Sequence, residues 1–414
     1  MNILMTTADH LMIDRRIIQE ARTLIAHGHH VTLLAGFECP KRESYILEGI
    51  RVERFVYDWS DSRFVRIARK LKLRAGSLLH KAAWRVFRIW SYRISSLNSF
   101  DQYIFDRMSE YQVDIVHVHD YPMLAAGVAL AKMRGVKIIY DAHELYYAQT
   151  QLPVSIQEKY KQNESRLMRH VDAAITVNPY IADIIAKRYS VKTPWVIMNA
   201  APPRAVSHGD LLRARFNLPS STRIVVYQGW ISDNRGIDCA VEAAKYLAEN
   251  IALVVIGYGD YEATLRKMVE DHDLSSRVFF YGGVPSDELH ALTCGADLGI
   301  IPYHGVDENN FFCSPNKLFE FAVANIPFVC NDLPFLRDIV EKFGNGVISD
   351  LRSPQAAAQS INQVFADPEK FSPDEGRRRI GRKGTELGCG RPEADGYIRI
   401  PVRREGLICV EFLA

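Results

Sequence analysis

The stretch CSPNKLFEFAVANIPFV (residues 313–329) has the pattern of a short helix that leads into a buried strand. Ser314 is a residue type that favours the N-cap of a helix, and Pro315 suits the first helical position. The apolar run at the end of the stretch is typical of a strand inside a parallel sheet. A helix followed directly by such a strand predicts an α/β fold.

The start of this helix also predicts a ligand site, because free N–H groups and the positive end of the helix dipole attract anions. On a 3.6-residue period Asn316, Lys317 and Glu320 share one side of the helix. The predicted core side holds Leu318, Phe319 and Ala322. A carboxylate one turn beyond an anion site can accept two ribose hydroxyl hydrogens. The alternative is an exposed Lys317–Glu320 ion pair worth about 0.3 kcal/mol, and position alone does not separate the two.

Short β-branched runs alternate with helix-period segments along most of the 414 residues, the pattern of βαβ units around parallel sheets. Strand candidates in the first half are residues 2–7, 30–36, 114–119, 137–143 and 173–178. A second series follows at 223–229, 252–259, 277–284, 298–303, 328–332 and 346–350. The proline-containing polar stretch 199–210 lies between them. We therefore predict two Rossmann-like, doubly wound parallel-sheet domains, over residues 1–200 and 201–372.

Composition excludes several classes of protein. The hydrophobic share of 48% and charged share of 24% are those of a globular chain, and a net charge of +2 gives no general reason to bind nucleic acid. The 7 cysteines show no CxxC spacing, so neither a disulfide framework nor a zinc site is predicted. The amino terminus lacks the pattern of a signal peptide, and no apolar run is long enough to span a bilayer. We expect a cytoplasmic protein.

Two segments depart from the alternation. Residues 63–93 contain ten Lys or Arg and no acidic residue, with apolar residues at helical spacing, and predict one or two basic amphipathic helices interrupted near Gly76. Such helices are attracted to anionic lipid; the alternative is a solvated face whose apolar stripe packs on the sheet. Residues 373–414 are rich in Gly and Arg without sustained periodicity, an atypical tail whose composition is consistent with an altered or disordered segment.

Polar residues follow the strand candidates of the first half, at the edge where ligands of open parallel sheets bind. One cluster comprises His117, His119 and Asp120, a second comprises Asp141, His143 and Glu144, and the first loop contributes Asp14 and Arg15. Two His/acid clusters at adjacent strand ends favour a functional site over histidines that satisfy local backbone groups. A zinc or iron site is a weaker alternative, because no recognisable spacing fixes a full ligand set.

In the second half, two glycine loops follow strands. Gly229 begins one loop, which also contains Arg235, and Gly257 begins the other. Glycine lets the backbone approach a ligand closely, and an arginine there can face a phosphate. The second loop lacks full GxGxxG spacing, which argues against a nicotinamide or flavin dinucleotide.

The motifs GHHVTLLAG, DIVHVHD, YDAHE, VIGYGD and PNKLFEF, in this order, resemble the GT-B glycosyltransferases, specifically the glycosyltransferase family 4-like group (glycosyltransferase group 1). The resemblance covers residues 2–370. It implies the GT-B fold, in which two Rossmann-like domains face each other across a cleft. The first domain would bind the acceptor and the second a nucleotide-diphosphate sugar. It further implies metal-independent, hexosyltransferase-type transfer that retains the anomeric configuration.

The resemblance also assigns roles to residues. Glu320 matches the second glutamate of the family's E-x7-E motif, which binds the donor's ribose, and His119 matches the first-domain histidine near the acceptor and donor sugar; these two are the predicted catalytic residues. The other predicted donor-binding residues are Gly229, Arg235, Gly257, Ser314, Asn316 and Lys317. The predicted acceptor-side residues are Asp14, Arg15, Asp120, His143 and Glu144. Two positions depart from the family: Phe312 stands where the first glutamate would fall, and Trp230 where a basic residue often follows the loop glycine.

We therefore expect a transferase of bacterial-type surface polysaccharide or glycoconjugate assembly. Its predicted partners are a nucleotide-sugar donor, a lipid-linked or saccharide acceptor and an anionic membrane surface that contacts residues 63–93; no nucleic acid, cofactor or metal is expected. The predicted location is the inner face of the plasma membrane, as a peripheral protein. A nucleotide-sugar 2-epimerase on the same fold and a non-catalytic nucleotide-sugar-binding homologue are the alternatives.

Overall fold

A computed structural model describes residues 1–9, 13–35, 38–56, 63–74, 77–95, 97–200, 204–206 and 209–367. The predicted atypical tail, 373–414, lies outside the described residues. The chain divides into two compact units, Met1–Met198 and Asn199–Ala414. Each unit contains one sheet with helices packed against it, as predicted for two α/β domains.

The first unit contains an eight-stranded sheet in the order β3-β4-β2-β1-β5-β6-β7-β8. All pairs are parallel except β3 with β4. The strands are β1 (Asn2–Thr6), β2 (His30–Ala35), β3 (Glu38–Leu47), β4 (Ile50–Val56), β5 (Ile115–His119), β6 (Lys137–Ala142), β7 (Ala173–Thr176) and β8 (Trp195–Val196). Because β1 joins β2 on one side and β5 on the other, the strand order reverses beside β1 and β5, the position where doubly wound sheets bind ligands.

The described residues of this unit form seven α-helices. They are α1 (Arg15–Ala26), α2 (Arg63–Lys70), α3 (Leu78–Ser95), α4 (Ser99–Met108), α5 (Tyr121–Arg134), α6 (Val154–Met168) and α7 (Pro179–Tyr189). In α1, Ile17 and Ala21 are fully buried against β1, β2 and β4, and Gly28 follows the helix with a φ of 80°. That left-handed conformation favours glycine and explains why the helix ends there.

The second unit contains a six-stranded, all-parallel sheet in the order β11-β10-β9-β12-β13-β14. Its strands are β9 (Arg223–Gln228), β10 (Ile251–Ile256), β11 (Val278–Gly282), β12 (Leu298–Ile301), β13 (Phe328–Cys330) and β14 (Gly346–Ile348). Its helices are α8 (Leu211–Phe216), α9 (Ile237–Ala243), α10 (Glu262–Asp271), α11 (Ser286–Cys294), α12 (Glu308–Phe311), α13 (Asn316–Val323), α14 (Pro334–Phe343) and α15 (Pro354–Ala366). Every residue of β10 is buried, as expected for a central strand covered on both faces.

All eleven predicted strands are present, and the described residues form three further strands that were missed. The missed strands are β3, β4 and the two-residue β8. The sequence of β3, ECPKRESYIL, contains a proline and four charged residues, which is tolerated because β3 lies at the edge of the sheet. In β4 the carboxylate of Glu53 is buried and accepts hydrogen bonds from Ser44 (3.0 Å) and Arg51 (2.8 Å). The charged residues of β3 and β4 are therefore the reason that neither was predicted to be a strand.

The prediction for α13 was wrong about its N-cap and about which side chains are buried. The N-cap position is occupied by Pro315, with extended backbone angles, and the helix begins at Asn316, so Ser314 lies one residue too early to cap it. The core side also differs from the prediction: Phe321 is fully buried and Ala322 is exposed. Lys317, predicted on the side away from the core, is buried too.

The basic segment forms two helices, α2 and α3, as predicted, and its apolar residues divide into two groups. Phe64 is buried and contacts the rings of His80, Trp84 and Phe87, with centroids 4.8 to 5.4 Å apart. A second group is exposed, by fractions of 42% to 85%: Ile67, Leu71, Leu78, Leu79 and Val86. We call these five residues the exposed apolar strip. Packing within this segment therefore accounts for only part of its apolar surface.

The contact between α13 and β12 depends on a glycine. A Cβ on Gly299 would lie 2.5 Å from ring carbons of Phe321. Gly299→Ala is expected to lower the free energy of unfolding by about 1–3 kcal/mol, because the methyl group must displace that ring. Urea denaturation followed by circular dichroism measures the change, and the double variant with Phe321→Leu should recover part of it. Wild-type stability in Gly299→Ala would contradict this packing.

Candidate functional site

Two glycine loops meet at the carboxyl edge of the second unit's sheet. Gly229 follows β9 with a φ of 119°, and Gly257 follows β10 with a φ of 151°. A Cβ on Gly257 would overlap the carbonyl oxygen of Gly229. Glycine is required at position 257 because the two loops are in backbone contact. The predicted ligand edge is therefore lined by backbone.

Lys317 is buried beside these loops, with only 4% of its surface exposed. Its Nζ atom lies 3.6 Å from the centre of the Tyr227 ring and 4.7 Å from that of Tyr303. A Cβ on Gly229 would lie 3.8 Å from Nζ, so the ammonium group lies against that loop. Nζ has no hydrogen-bond partner among the described residues. Burial lowers the pKa of Lys317 well below its usual range, and the nearby charge of Arg235 lowers it further.

Arg235 shares an aromatic ring with Lys317. It lies at the end of the 3-10 turn Asp233–Arg235. Its guanidinium carbon is 5.0 Å from the centre of the Tyr303 ring, and Nη1 donates a hydrogen bond to the Tyr303 hydroxyl. Two basic side chains therefore lie against one buried tyrosine, and an anionic ligand at these strand ends would stabilise the charged form of Lys317.

Glu320 is held by a short hydrogen-bond chain that begins on α11. Thr293 donates to Oε1 of Gln228 over 2.9 Å, and Nε2 of Gln228 donates to Oε2 of Glu320. Gln228 is buried and immediately precedes Gly229. The carboxylate of Glu320 is thereby fixed relative to the first glycine loop.

The structure brings five predicted donor-binding residues to this edge: Gly229, Arg235, Gly257, Lys317 and Glu320. Asn316 is the half-buried first residue of α13. The Ser314 hydroxyl is buried without a hydrogen-bond partner among the described residues, and the Ser314 carbonyl accepts from Asn199 Nδ2 over 3.0 Å. The departing residue Trp230 is 42% exposed and packs edge-on against Tyr258. Phe312 ends α12 and packs edge-on against Phe311.

A buried ion pair organises the carboxyl edge of the first unit's sheet. Arg16 donates from Nε and Nη2 to the two carboxylate oxygens of Asp141, over 3.0 and 2.9 Å, and both side chains are almost fully buried. Nη1 of Arg16 donates to the carbonyl oxygen of Ile197. Burial alone would raise the pKa of Asp141, but the Arg16 guanidinium outweighs it and holds that pKa well below the usual range. The bidentate geometry fixes Asp141 at the end of β6.

Asp141 and Asp120 surround His143. Nε2 of His143 lies 3.5 Å from Asp141 Oδ2 and Nδ1 lies 3.5 Å from Asp120 Oδ2. Asp120 also accepts a hydrogen bond from the His143 backbone N–H over 2.9 Å. The backbone of Asp120 has a φ of 61°, which is a strained conformation for a non-glycine residue. Such strained residues cluster at functional sites. The predicted histidine and acid clusters are thus one network.

His119, at the end of β5, completes this network. Its Nδ1 lies 3.2 Å from His143 Nε2 and 3.6 Å from Asp141 Oδ2. The ring of His117 stacks on that of His119, with centroids 4.4 Å apart, as expected for alternate residues of one strand. Nε2 of His117 lies 3.7 Å from Glu20 Oε2. Both histidines are buried, and burial lowers the pKa of His119 to about 4, so its ring is neutral at neutral pH.

The other predicted acceptor-side residues have local roles in this structure. Asp14 is the N-cap of α1 and accepts from the Arg16 backbone N–H over 2.8 Å. Arg15 is the first residue of α1 and is half-buried. Glu144 accepts from Gln149 Nε2 over 2.6 Å. The arginine that enters the histidine network is the next residue along, Arg16.

Sequence reasoning missed Arg16 and Glu20. Nη2 of Arg16 lies 3.2 Å from Glu20 Oε1, one turn further along α1. Burial raises the pKa of Glu20 well above its usual value, and the Asp141 carboxylate raises it further. The available signal was their position beside Ile17 and Ala21, on the core-facing stripe of α1. Charged residues on that stripe require a partner inside the protein.

A metal site was the alternative for this cluster. Glu20, His117, His119 and Asp141 each bring one nitrogen or oxygen within 4.8 Å of the others. The Arg16 guanidinium, however, already engages both oxygens of Asp141. We therefore interpret the cluster as a network of ion pairs and histidines.

Two sequence families cover most of the chain. Residues 13–201 match Glycosyltransferase Family 4, and residues 210–387 match Glycosyl transferases group 1. The chain belongs to the family 4-like glycosyltransferases. The chain's activity is accordingly that of a glycosyltransferase.

Individual proteins agree with this assignment. The chain is 27% identical to EpsD of Bacillus subtilis (strain 168) over 299 residues, 69% of this chain and 74% of EpsD. HepE of Anabaena, whose crystal structure contains UDP and glucose, superposes with a TM-score of 0.65 at 16% identity, covering 94% of this chain and 100% of HepE. WaaG, a glycosyltransferase involved in lipopolysaccharide biosynthesis, gives a TM-score of 0.61 at 14% identity, covering 92% of this chain and 95% of WaaG. These two structures confirm the GT-B fold.

We expect the buried Arg16–Asp141 pair to contribute to the free energy of unfolding. Asp141→Asn is expected to lower the free energy of unfolding by about 3 kcal/mol, because it removes the bidentate counter-charge of the buried Arg16 guanidinium and leaves only Glu20, whose Oε1 lies 3.2 Å from Nη2. Chemical denaturation of the wild-type and variant chains measures this.

Asp183→Asn is the matched control, because Asp183 forms an exposed pair with Lys187 one turn along α7. Its expected effect is within about 0.5 kcal/mol. Equal losses in the two variants would contradict a special role for the buried pair.

Proposed function

We propose that the chain transfers a sugar from a nucleotide-diphosphate sugar to a lipid-linked or saccharide acceptor, with retention at the anomeric carbon and without a metal ion, in polysaccharide or glycoconjugate biosynthesis. The observation that carries this proposal is the buried Nζ of Lys317, which has no hydrogen-bond partner among the described residues. A buried cation without an acceptor is costly, and a diphosphate would supply the missing one.

The second unit supports the donor part of the proposal. Negative charge builds up on the leaving diphosphate as the glycosidic bond breaks. Lys317, Arg235 and the free N–H groups of α13 would stabilise it, in positions set before the reaction. These groups supply positive charge from side chains and backbone, which supports transfer without a metal ion. Glu320, held by Gln228, would accept the ribose hydroxyls.

The first unit supports the acceptor part. His119 is the proposed catalytic residue there. It contacts His143, and Asp120 lies beside His143. The ion pairs of this network fix the rings before a ligand arrives, so that little reorganisation is needed during the reaction. Asp14, Arg15 and Glu144 would act near the same edge of the sheet.

The exposed apolar strip supports a membrane-bound acceptor. Leu78 and Leu79 are 85% and 72% exposed, on a helix that also carries the exposed cations Lys81 and Arg85. An amphipathic helix with leucines beside lysines and arginines binds at the surface of anionic bilayers. In the described part of the chain, no helix is both long enough and apolar enough to cross a bilayer. From the exposed leucines and cations of this helix, we propose peripheral association with the inner face of the plasma membrane.

Glu320 gives the sharpest test of the donor site. Glu320→Ala is expected to weaken binding of the cognate nucleotide sugar at least about 100-fold, because two charge-assisted hydrogen bonds to the ribose are lost. Isothermal titration with UDP-, GDP- and ADP-sugars measures this, with stability expected to change little. Glu341→Ala, at an exposed position in α14, is the control. Unchanged binding in Glu320→Ala would refute the assignment.

The same panel of nucleotide sugars tests the reaction. In excess EDTA and with a lipid-linked or saccharide acceptor, we expect nucleotide release and a product with the donor's anomeric configuration. An inverted product would contradict retention, and activity lost in EDTA but restored by a divalent ion would contradict metal independence. An isomerised nucleotide sugar would identify an epimerase. Binding without turnover would identify a non-catalytic homologue, the outcome that Phe312 and Trp230 leave open.

Vesicle binding tests the exposed apolar strip. The double variant Leu78→Asp, Leu79→Asp should lose most co-sedimentation with phosphatidylglycerol vesicles, because it removes apolar contact and adds negative charge. Ile46→Asp is the control, since Ile46 is 68% exposed on β3. Equal wild-type binding to phosphatidylglycerol and neutral phosphatidylcholine vesicles, or no binding, would refute membrane association through this segment.

A further inference from the structure

Both ring nitrogens of His143 face a carboxylate. Nδ1 lies 3.5 Å from Asp120 Oδ2, and Nε2 lies 3.5 Å from Asp141 Oδ2. A neutral imidazole carries a proton on only one nitrogen, so its other nitrogen would direct a lone pair at an anion. Only the imidazolium form directs an N–H group toward both carboxylates. The geometry therefore favours a charged His143.

A charged His143 determines where the proton of His119 lies. His119 Nδ1 is 3.2 Å from His143 Nε2, within hydrogen-bond distance, and 3.6 Å from Asp141 Oδ2, beyond it. A hydrogen bond between two ring nitrogens needs one donor and one acceptor. Since His143 Nε2 carries a proton, His119 Nδ1 is the acceptor. A neutral His119 then has its proton on Nε2.

We propose that His143 is a positioning residue that fixes His119 in the Nε2–H tautomer, so that His119 offers its ligand a hydrogen-bond donor and not a base. His119 Nε2 has no hydrogen-bond partner among the described residues. Resting on the proposed function, the acceptor for this N–H is a hydroxyl oxygen of the sugar ligand. No proton leaves His119 in this role.

The surroundings support these protonation states. Arg16 reaches this cluster through its hydrogen bonds to Asp141. The titratable groups that interact electrostatically with His143 come from α1, from the loops after β1 and β5, and from strands β5 and β6: Asp9, Asp14, Glu20, His117, His119, Asp120 and Asp141. Burial alone would lower the pKa of His143, but Asp120 and Asp141 outweigh it and raise the pKa to about 10. Burial raises the pKa of Asp120 to about 7, whereas the pKa of Asp141 stays well below its usual range, so Asp141 is the carboxylate that keeps His143 charged at neutral pH.

The tautomer of His119 can be observed directly. Two-bond proton–nitrogen correlation spectra of the full-length, ¹⁵N-histidine-labelled chain distinguish Nδ1–H from Nε2–H, and loss of signals in His119→Gln and His143→Gln assigns the two rings. At neutral pH we expect His119 protonated on Nε2 alone and His143 on both nitrogens. A wild-type His119 protonated on Nδ1, or a neutral His143, would overturn the proposal without reliance on any variant.

Two variants of His143 separate positioning from packing. In His143→Leu the nearest remaining partner of His119 Nδ1 is Asp141, so the Nδ1–H form should increase. In His143→Gln an amide N–H can donate in place of the imidazolium, so the Nε2–H form should persist. An unchanged His119 spectrum in His143→Leu would contradict the proposal.

Activity provides the second readout. We expect kcat for sugar transfer to fall at least tenfold in His143→Leu, with KM for the nucleotide sugar nearly unchanged, and to recover in His143→Gln. Equal losses in both variants would show a merely structural role. Absence of transfer by the wild-type chain would refute the proposed function and leave the spectroscopic test of the tautomer intact.

Discussion

The ammonium group of Lys317 is buried against Tyr227, Tyr303 and the loop at Gly229, without a hydrogen-bond partner among the described residues. Moving such a charge out of water costs several kcal/mol when no counter-charge compensates. The electron-rich faces of two tyrosine rings offset part of that cost. The second unit is thus arranged around a cation that its own described residues satisfy only in part, and the arrangement is best explained by an anionic ligand.

The two units treat buried charge in opposite ways. In the first unit the Arg16 guanidinium is satisfied by Asp141, and the same carboxylate orients His143. Such a network is rigid and can hold a histidine ring in one position. In the second unit the cations Lys317 and Arg235 lie against one tyrosine ring. The proposed function assigns a neutral hydroxyl group to the first of these edges and a diphosphate to the second.

Sequence reasoning found the fold because the central strands are continuous β-branched runs buried on both faces. It missed β3, whose proline and charges are tolerated only at a sheet edge, which is a property of the whole sheet. It selected Arg15, although Arg16 is the arginine in the histidine network. Successive side chains on a helix point about 100° apart, so Arg15 is half-buried whereas its neighbour Arg16 is buried. It also predicted that Ala322 would be buried, whereas Phe321 is the buried residue. The apolar residues of α13 are so closely spaced that their pattern does not distinguish the two.

Some features had no local signal at all. The hydrogen-bond chain Thr293–Gln228–Glu320 joins residues from three elements that are distant in the sequence. The burial of Lys317 depends on Tyr227 and Tyr303, which no motif connects to it. Such contacts arise from packing between elements, so a motif can indicate the residue type at a site without revealing what surrounds it.

The most direct test of the donor site is a crystal structure of the chain soaked separately with UDP, GDP and ADP. We expect one of them to bind at the carboxyl edge of the second unit's sheet. Its diphosphate should lie within hydrogen-bond distance of Lys317 Nζ and Arg235, and its ribose hydroxyls within that distance of Glu320. A nucleotide bound elsewhere, with Lys317 Nζ still lacking an acceptor, would contradict it.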